Sequence, residues 1–347
     1  MFENKDKEKD IVHIKFLFDI TTDSYNNQYL DNTFIIFQSK NSNILYLIYS
    51  SNNQTIISYN LNSFSIINKI KKAHNKDIIN FSHHYSKEEK KDLVMNISFN
   101  NNIKIWDIVQ FNRTINLNNI NINGGILSAC FLIDSDNNYI LTSNYFNNLN
   151  NEPLKIFKFN GEKVKSISDS NEITYLVDTY YDIKQSKLYI ISGFESCIKS
   201  YDYSKNKLYH KYYQNLNFRH CSIVIYSYND IIRMIDSCCS GEGFIRIWNF
   251  HSATLLKIIN INCSSMGINL WNNKYLFVGC IDKSIKLIEL TQGIIINKYK
   301  EHKNWICTLK VIKHPQLGDC LVSHARVNDN IKIWKIENNI DKDIYLI

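Results

Sequence analysis

Ile103-Lys104-Ile105-Trp106-Asp107 is the stretch on which the reading of this chain turns. Its apolar–polar–apolar alternation has the period of two of a strand with one buried face, and it ends on an aromatic residue followed by an acid. The unit returns as Ile245-Arg246-Ile247-Trp248-Asn249 and as Ile331-Lys332-Ile333-Trp334-Lys335. Weaker copies are Ile56-Ile57-Ser58-Tyr59-Asn60, Leu154-Lys155-Ile156-Phe157-Lys158, Ile198-Lys199-Ser200-Tyr201-Asp202 and Ile285-Lys286-Leu287-Ile288-Glu289. The anchors at 59, 106, 157, 201, 248, 288 and 334 are spaced by 47, 51, 44, 47, 40 and 46 residues. Seven such units tile the chain from about residue 30 onward and leave no room for a second domain. A period of about 40–45 residues holding four short strands marks a propeller blade.

The surroundings agree. Runs such as Ile44–Tyr49, Leu188–Ile191 and Tyr275–Val278 are β-rich and are separated by Asn, Asp, Ser and Gly. No segment sustains a helical period. Six residues before the anchors stand Asn53, Asn100, Asn151, Glu195, Glu242, Asp282 and Asn328, residue types that close tight turns. The expectation is an all-β, seven-bladed β-propeller over residues 11–347, preceded by a disordered tail at residues 1–10.

The repeats resemble those of the WD-repeat family, which carry Gly-His early and Trp-Asp at the end of the third strand. Here Ala73-His74, Arg219-His220 and Glu301-His302 stand at the first position, without the Gly, and each His precedes an apolar residue by four: Ile78, Val224 and Ile306. His74 lies 32 residues before Trp106, His220 lies 28 before Trp248, and His302 lies 32 before Trp334. The repeats anchored on Tyr59, Phe157, Tyr201 and Ile288 have no His in that window. The resemblance implies a network joining His, a second-strand hydroxyl, a turn acid and the indole N–H. A half-built network leaves buried polar groups unpaired at about 1–3 kcal/mol each, so His and Trp are kept or lost together. Asn100, Glu242 and Asn328 replace the usual Asp, and Cys238 stands where a hydroxyl is expected. The resemblance also implies closure of the ring by an N-terminal strand, for which Ile11–Phe18 is suited; Asp343–Ile347 is the competing segment.

Composition narrows the function. The formal charge of +7 is dispersed, with no block of five like charges, which argues against a nucleic-acid groove. Nine Cys without any Cys-x-x-Cys pair read as buried reduced thiols and not as a zinc site. No signal-type N-terminus and no apolar run of about 18 residues is present, so an intracellular, cytoplasmic or nuclear, soluble protein is expected. No phosphate loop, nucleophile elbow or His-Glu-x-x-His occurs, and no enzymatic activity, cofactor or metal is expected. His83-His84 reads as part of a solvated polar loop, and His314-Pro315 as a turn.

Function then falls to the loops of one rim, the top face, where the resemblance implies binding of proteins or peptides. One candidate patch comprises Tyr145, Phe146, Phe194 and Arg219; a second comprises Lys303, Asn304 and Arg326, beside Trp305, which reads equally as core. The reading is a scaffold or adaptor in a multiprotein complex. A ubiquitin-ligase substrate receptor is the alternative, although the Arg such members carry after Trp-Asp is replaced by Val109, His251 and Glu337. A phosphoinositide-binding propeller is a further one, although Phe218-Arg219-His220-Cys221 offers a single Arg where such members carry two.

Overall fold

The computed structural model describes residues 12–22, 34–51, 54–99, 101–108, 110, 112–117, 125–134, 137–145, 152–167, 172–213, 219–239, 243–326 and 329–338. Strand β1 (Val12–Ile20) comes first. Blade one then comprises β2 (Phe34–Gln38), β3 (Leu45–Ser51), β4 (Thr55–Asn60) and β5 (Ser65–Ile70). Blade two comprises β6 (Ile78–Ser86), β7 (Lys91–Ser98), β8 (Ile103–Asp107) and β9 (Asn112–Leu117). Blade three comprises β10 (Gly125–Asp134), β11 (Asn137–Tyr145), β12 (Leu154–Lys158) and β13 (Lys163–Ile167). Blade four comprises β14 (Thr174–Asp182), β15 (Lys187–Phe194), β16 (Cys197–Asp202) and β17 (Lys207–Tyr213). Blade five comprises β18 (Arg219–Tyr228), β19 (Ile231–Cys239), β20 (Phe244–Asn249) and β21 (Leu255–Asn260). Blade six comprises β22 (Ser265–Trp271), β23 (Tyr275–Cys280), β24 (Ile285–Glu289) and β25 (Ile294–Tyr299). Blade seven takes β26 (Ile306–His314), β27 (Gly318–Ala325) and β28 (Ile331–Asn338), and β1 returns as its fourth strand.

All seven anchors lie on the third strand of a blade, where the alternating motif placed them. Directly before each anchor the outer strand carries one extra residue. Ser58 pairs with Asn68 but Tyr59 with Ile66, and Ile247 pairs with Lys257 but Trp248 with Leu255. The same step occurs at Trp106, Phe157, Tyr201 and Ile288. In blade seven Ile333 faces Phe18 while Trp334 faces Phe16, so Leu17 is the extra residue and β1 repeats the bulge of every other outer strand. Bulges of this kind raise local twist, which a four-stranded blade needs to fan outward from the axis.

The core is divided among the blade interfaces. Ile97 and Ile105 of blade two pack with Ile126 and Phe131 of blade three, and Leu47 and Tyr49 of blade one pack with Val322 and Ile333 of blade seven. The ring is therefore closed both by packing and by the β1–β28 ladder. The seven innermost strands surround a central channel with a cavity of about 540 Å³, lined in part by Asn80, Ser128, Asp178, Asn269 and Lys310. Among the described residues no helix is long and apolar enough to cross a membrane. The Asp343–Ile347 segment lies outside the described residues, as does the 1–10 tail.

One expectation is corrected here and one holds. His83 and His84 belong to inner strand β6 and not to a loop. The His83 ring stacks on Phe37 at 3.7 Å, and its Nε2 lies 3.0 Å from the Asp92 carboxylate. His314 does terminate a strand in a turn. Its Nδ1 accepts from the Gln316 and Leu317 amides, and its Nε2 donates to the Leu61 carbonyl of blade one.

Removal of residues 1–20 should leave the β28 edge unpaired. The truncated chain is expected to melt at least several degrees lower and to associate on a sizing column. A monomer melting with the full-length chain would show that β1 is not the clasp.

Candidate functional site

Each blade is antiparallel, so its second-to-third-strand turn and the connections to its neighbours share one rim. The three His–Trp pairs lie beneath that rim, and all six side chains are buried. In blade seven the Trp334 indole donates to Ser323 Oγ at 2.8 Å, Ser323 meets His302 Nε2 at 2.7 Å, and His302 Nδ1 meets the Asp329 carboxylate at 2.9 Å. The same carboxylate accepts the Lys303 amide at 2.6 Å, which fixes the loop leading to Trp305. In blade two the Asn96 side-chain carbonyl accepts both the Trp106 indole at 3.2 Å and the His74 ring at 2.7 Å. In blade five Asp236 accepts from Trp248 at 2.7 Å, from Arg246 at 2.6 Å and from His220 Nδ1 at 3.0 Å.

The joining residue is thus Asn96, Asp236 or Ser323, and a hydroxyl fills the role only in blade seven. All three face the same place in the ladder, opposite Lys104, Arg246 and Lys332, two residues before the anchor. Cys238 does not take part; its thiol points to the Phe244 carbonyl at 3.7 Å. The turn acid of blade seven is Asp329, one residue beyond the expected Asn328, which with Asn53, Asn100, Asn151 and Glu242 lies outside the described residues.

The register also explains the short 28-residue spacing of blade five. Inner-strand bulges follow Ile78 in blade two and Ile306 in blade seven, and the matching bulge follows His220 itself. His220 is therefore equivalent to Ile78 and Ile306, four residues later than His74 and His302. Val224 is not their counterpart. His220 reaches Asp236 from the strand through Nδ1, and Arg246 lies on the same carboxylate oxygen.

Burial works to raise the pKa of Asp236. The Arg246 charge and the His220 and Trp248 hydrogen bonds outweigh it and hold the carboxyl below its usual range. The same contest, won by His302 and two backbone amides, lowers Asp329. His74 is pushed down to about 4 by burial, with Lys104 adding to the effect, and His324 to about 4 by burial and the neighbouring His302. Both imidazoles are held neutral.

At the surface of the rim the second patch comes together. Trp305 is 39% exposed and is not core. The Arg326 guanidinium lies 5.0 Å over its ring, and the Arg326 amide donates to the Trp305 carbonyl at 2.7 Å. Lys303 is exposed, and Asn304 accepts the Trp305 amide through its side chain at 2.8 Å. The first patch does not assemble as expected. Phe194 is the last residue of β15, fully buried under the Lys199 ammonium at 4.5 Å, and is no contact surface. Arg219 lies 4.9 Å over Tyr175, an aromatic partner the sequence reading missed. Phe146 and the side chain of Tyr145 lie outside the described residues. Between the two cation–aromatic pairs, at the channel mouth, Cys221, Met266 and Cys307 of blades five to seven pack together with Ile281 at their edge.

No model of a known protein family matches this sequence, and no curated protein is significantly similar to it.

Asp236→Ala should destabilise the fold by about 3–5 kcal/mol because a buried Arg246 is left uncompensated. Trp248→Ala should cost a similar ~3–5 kcal/mol, and in a double-mutant cycle the two losses should not add. A near-neutral denaturation midpoint for either would contradict the network. Because the folded His74 and His324 constants lie near 4, below the usual 6.5, the unfolded chain binds more protons between those values. Stability should then fall on acidification from pH 6.5 to 4, by at most about 3 kcal/mol for each histidine. Urea midpoints measured across that range check this; a flat profile would refute it.

Proposed function

We propose that the chain is a degenerate WD-repeat propeller that acts as a non-enzymatic platform, binding other proteins or peptides on the rim that carries Trp305. The observation that carries the proposal is the mounting of the Trp305–Arg326 pair. Trp and Arg dominate binding hot spots, and a contact costs least when its residues are ordered beforehand. The Ser323–His302–Asp329 chain reaches the loop backbone at Lys303, so the buried indole and the displayed one are parts of one rigid unit. With Lys303 and Arg326 flanking Trp305, the patch suits a partner segment with acidic and apolar side chains.

The three histidines sequence reading marked as framework are committed to internal partners, which favours a scaffold over an acid–base catalyst. The Arg219–Tyr175 pairing gives no particular support to a lipid-headgroup site, and nothing observed favours a ligase receptor over other adaptors. A reducing intracellular compartment fits nine cysteines without a disulfide.

The test is affinity purification of the tagged chain beside Trp305→Ala, Arg326→Ala and, on the opposite rim, Ile183→Ala, whose side is 82% exposed. Trp305→Ala is expected to weaken partner binding by roughly thirtyfold, as for a 2 kcal/mol hot spot, while stability moves within about 0.5 kcal/mol. Equal partner recovery from all variants would place the interface elsewhere.

A further inference from the structure

Blade six lacks the indole network. Its anchor is Ile288, and Val278 faces Lys286 where other blades offer an amide, a carboxylate or a hydroxyl. Lys286 is nonetheless buried. As Lys104 does with Ala73, it donates to a carbonyl of the incoming loop, that of Ile261. Its second partner is the Cys263 sulfur at 2.9 Å. Cys280, at the end of β23, has its sulfur within 4.8 Å of that of Cys263.

The two sulfurs are held by backbone on both sides. The Ile281 amide donates to the Ser264 carbonyl at 3.1 Å, and the Ile261 amide donates to Gly243 at 3.0 Å. Gly243, with φ +66°, lies so close that a Cβ there would fall 1.7 Å from the Cys263 carbonyl oxygen. Cys263 is 8% exposed and Cys280 is fully buried.

We propose that Cys263 and Cys280 are a hydroperoxide-reactive dithiol, with Cys263 the attacking sulfur and Cys280 the resolving one. The Cys263 thiolate attacks the peroxide: an S–O bond forms, the O–O bond breaks, and the departing oxygen takes a proton to leave as water or an alcohol. Cys280 then attacks the sulfenic sulfur. The S–S bond forms, the S–O bond breaks, and hydroxide leaves with the Cys280 proton as water. Two thiols are oxidised and one peroxide is reduced.

The electrostatics assign the roles. The Cys280 hydrogen bond and then the Lys286 ammonium outweigh burial and bring Cys263 down to about 7, whereas the Cys263 thiolate and burial push Cys280 up. Asp282 also faces the pair, and it is itself bonded to Lys298 at 2.6 Å and to Ser284 at 2.5 Å. That occupancy, with an ammonium on the sulfur, disfavours a metal cation between the same three side chains. Joining the sulfurs needs an approach of at most roughly 3 Å to the ~2.05 Å bond.

The test is peroxide titration of the purified, reduced chain, read by peptide mass spectrometry. The expected first product is a Cys263–Cys280 disulfide. In Cys280→Ser a dimedone adduct should accumulate on Cys263, and in Lys286→Met oxidation at pH 7 should slow about tenfold. On the unaltered chain, alkylation of Cys263 by iodoacetamide should have its midpoint near pH 7, below that of the other thiols. Oxidation of other cysteines ahead of Cys263, an unchanged rate in folded Lys286→Met, or stoichiometric zinc retained by the pair would each overturn the proposal.

Discussion

The pairing of β1 with β28 is the contact on which the architecture depends. Without it the last blade has three strands and an open row of backbone donors and acceptors, and the interface between blades seven and one has no support on its outer side. The two strands are separated by more than 300 residues, so the contact can form only when the intervening blades are stacked. That β1 reproduces the bulge of the other outer strands shows how closely the closing segment conforms to a blade geometry set by the rest of the ring.

Within blades the recurring constraint is the single donor of a buried indole. Three blades meet it with three chemistries: an amide, a carboxylate and a hydroxyl. The choice depends on the neighbours. Asp236 is tolerated in the interior because Arg246 and His220 share its charge, while Ser323 works because His302 hands the chain on to Asp329. Tyr, Phe or Ile at the other anchors removes the indole's demand. Blade six shows a consequence: its lysine keeps the bond to the incoming loop that Lys104 also makes but, with Val278 opposite, takes a cysteine sulfur as its second partner.

The network also connects interior to surface. Asp329 holds both a core imidazole and the amide of Lys303, so the position of Trp305 is set from within the blade. The rim over blades five to seven gathers the Trp305–Arg326 pair, the apolar channel mouth and the paired thiols beside Ile281. A rigid scaffold carrying its recognition chemistry on short loops is what a binding platform requires.

The sequence by itself determined the number of blades, the seven anchors and the choice of His74, His220 and His302 as interior groups. Alternation and repeat length are local properties, and a buried Trp announces its need for an acceptor. The clasp came from the resemblance to WD repeats, which implies closure by an N-terminal strand, and the run before the first repeat suits that role. What only the tertiary structure decided were the long-range registers. Asn96, Asp236 and Ser323 share one position in the ladder but stand 10, 12 and 11 residues before their anchors, so no fixed spacing reveals them. Phe194 was misplaced because β15 continues three residues past the Leu188–Ile191 run by which the sequence marks it, and Trp305 could not be assigned to core or surface by alternation alone. The meeting of Cys263, Cys280 and Lys286 was equally hidden, since two strands and the connection between blades five and six converge there only after the blade has folded.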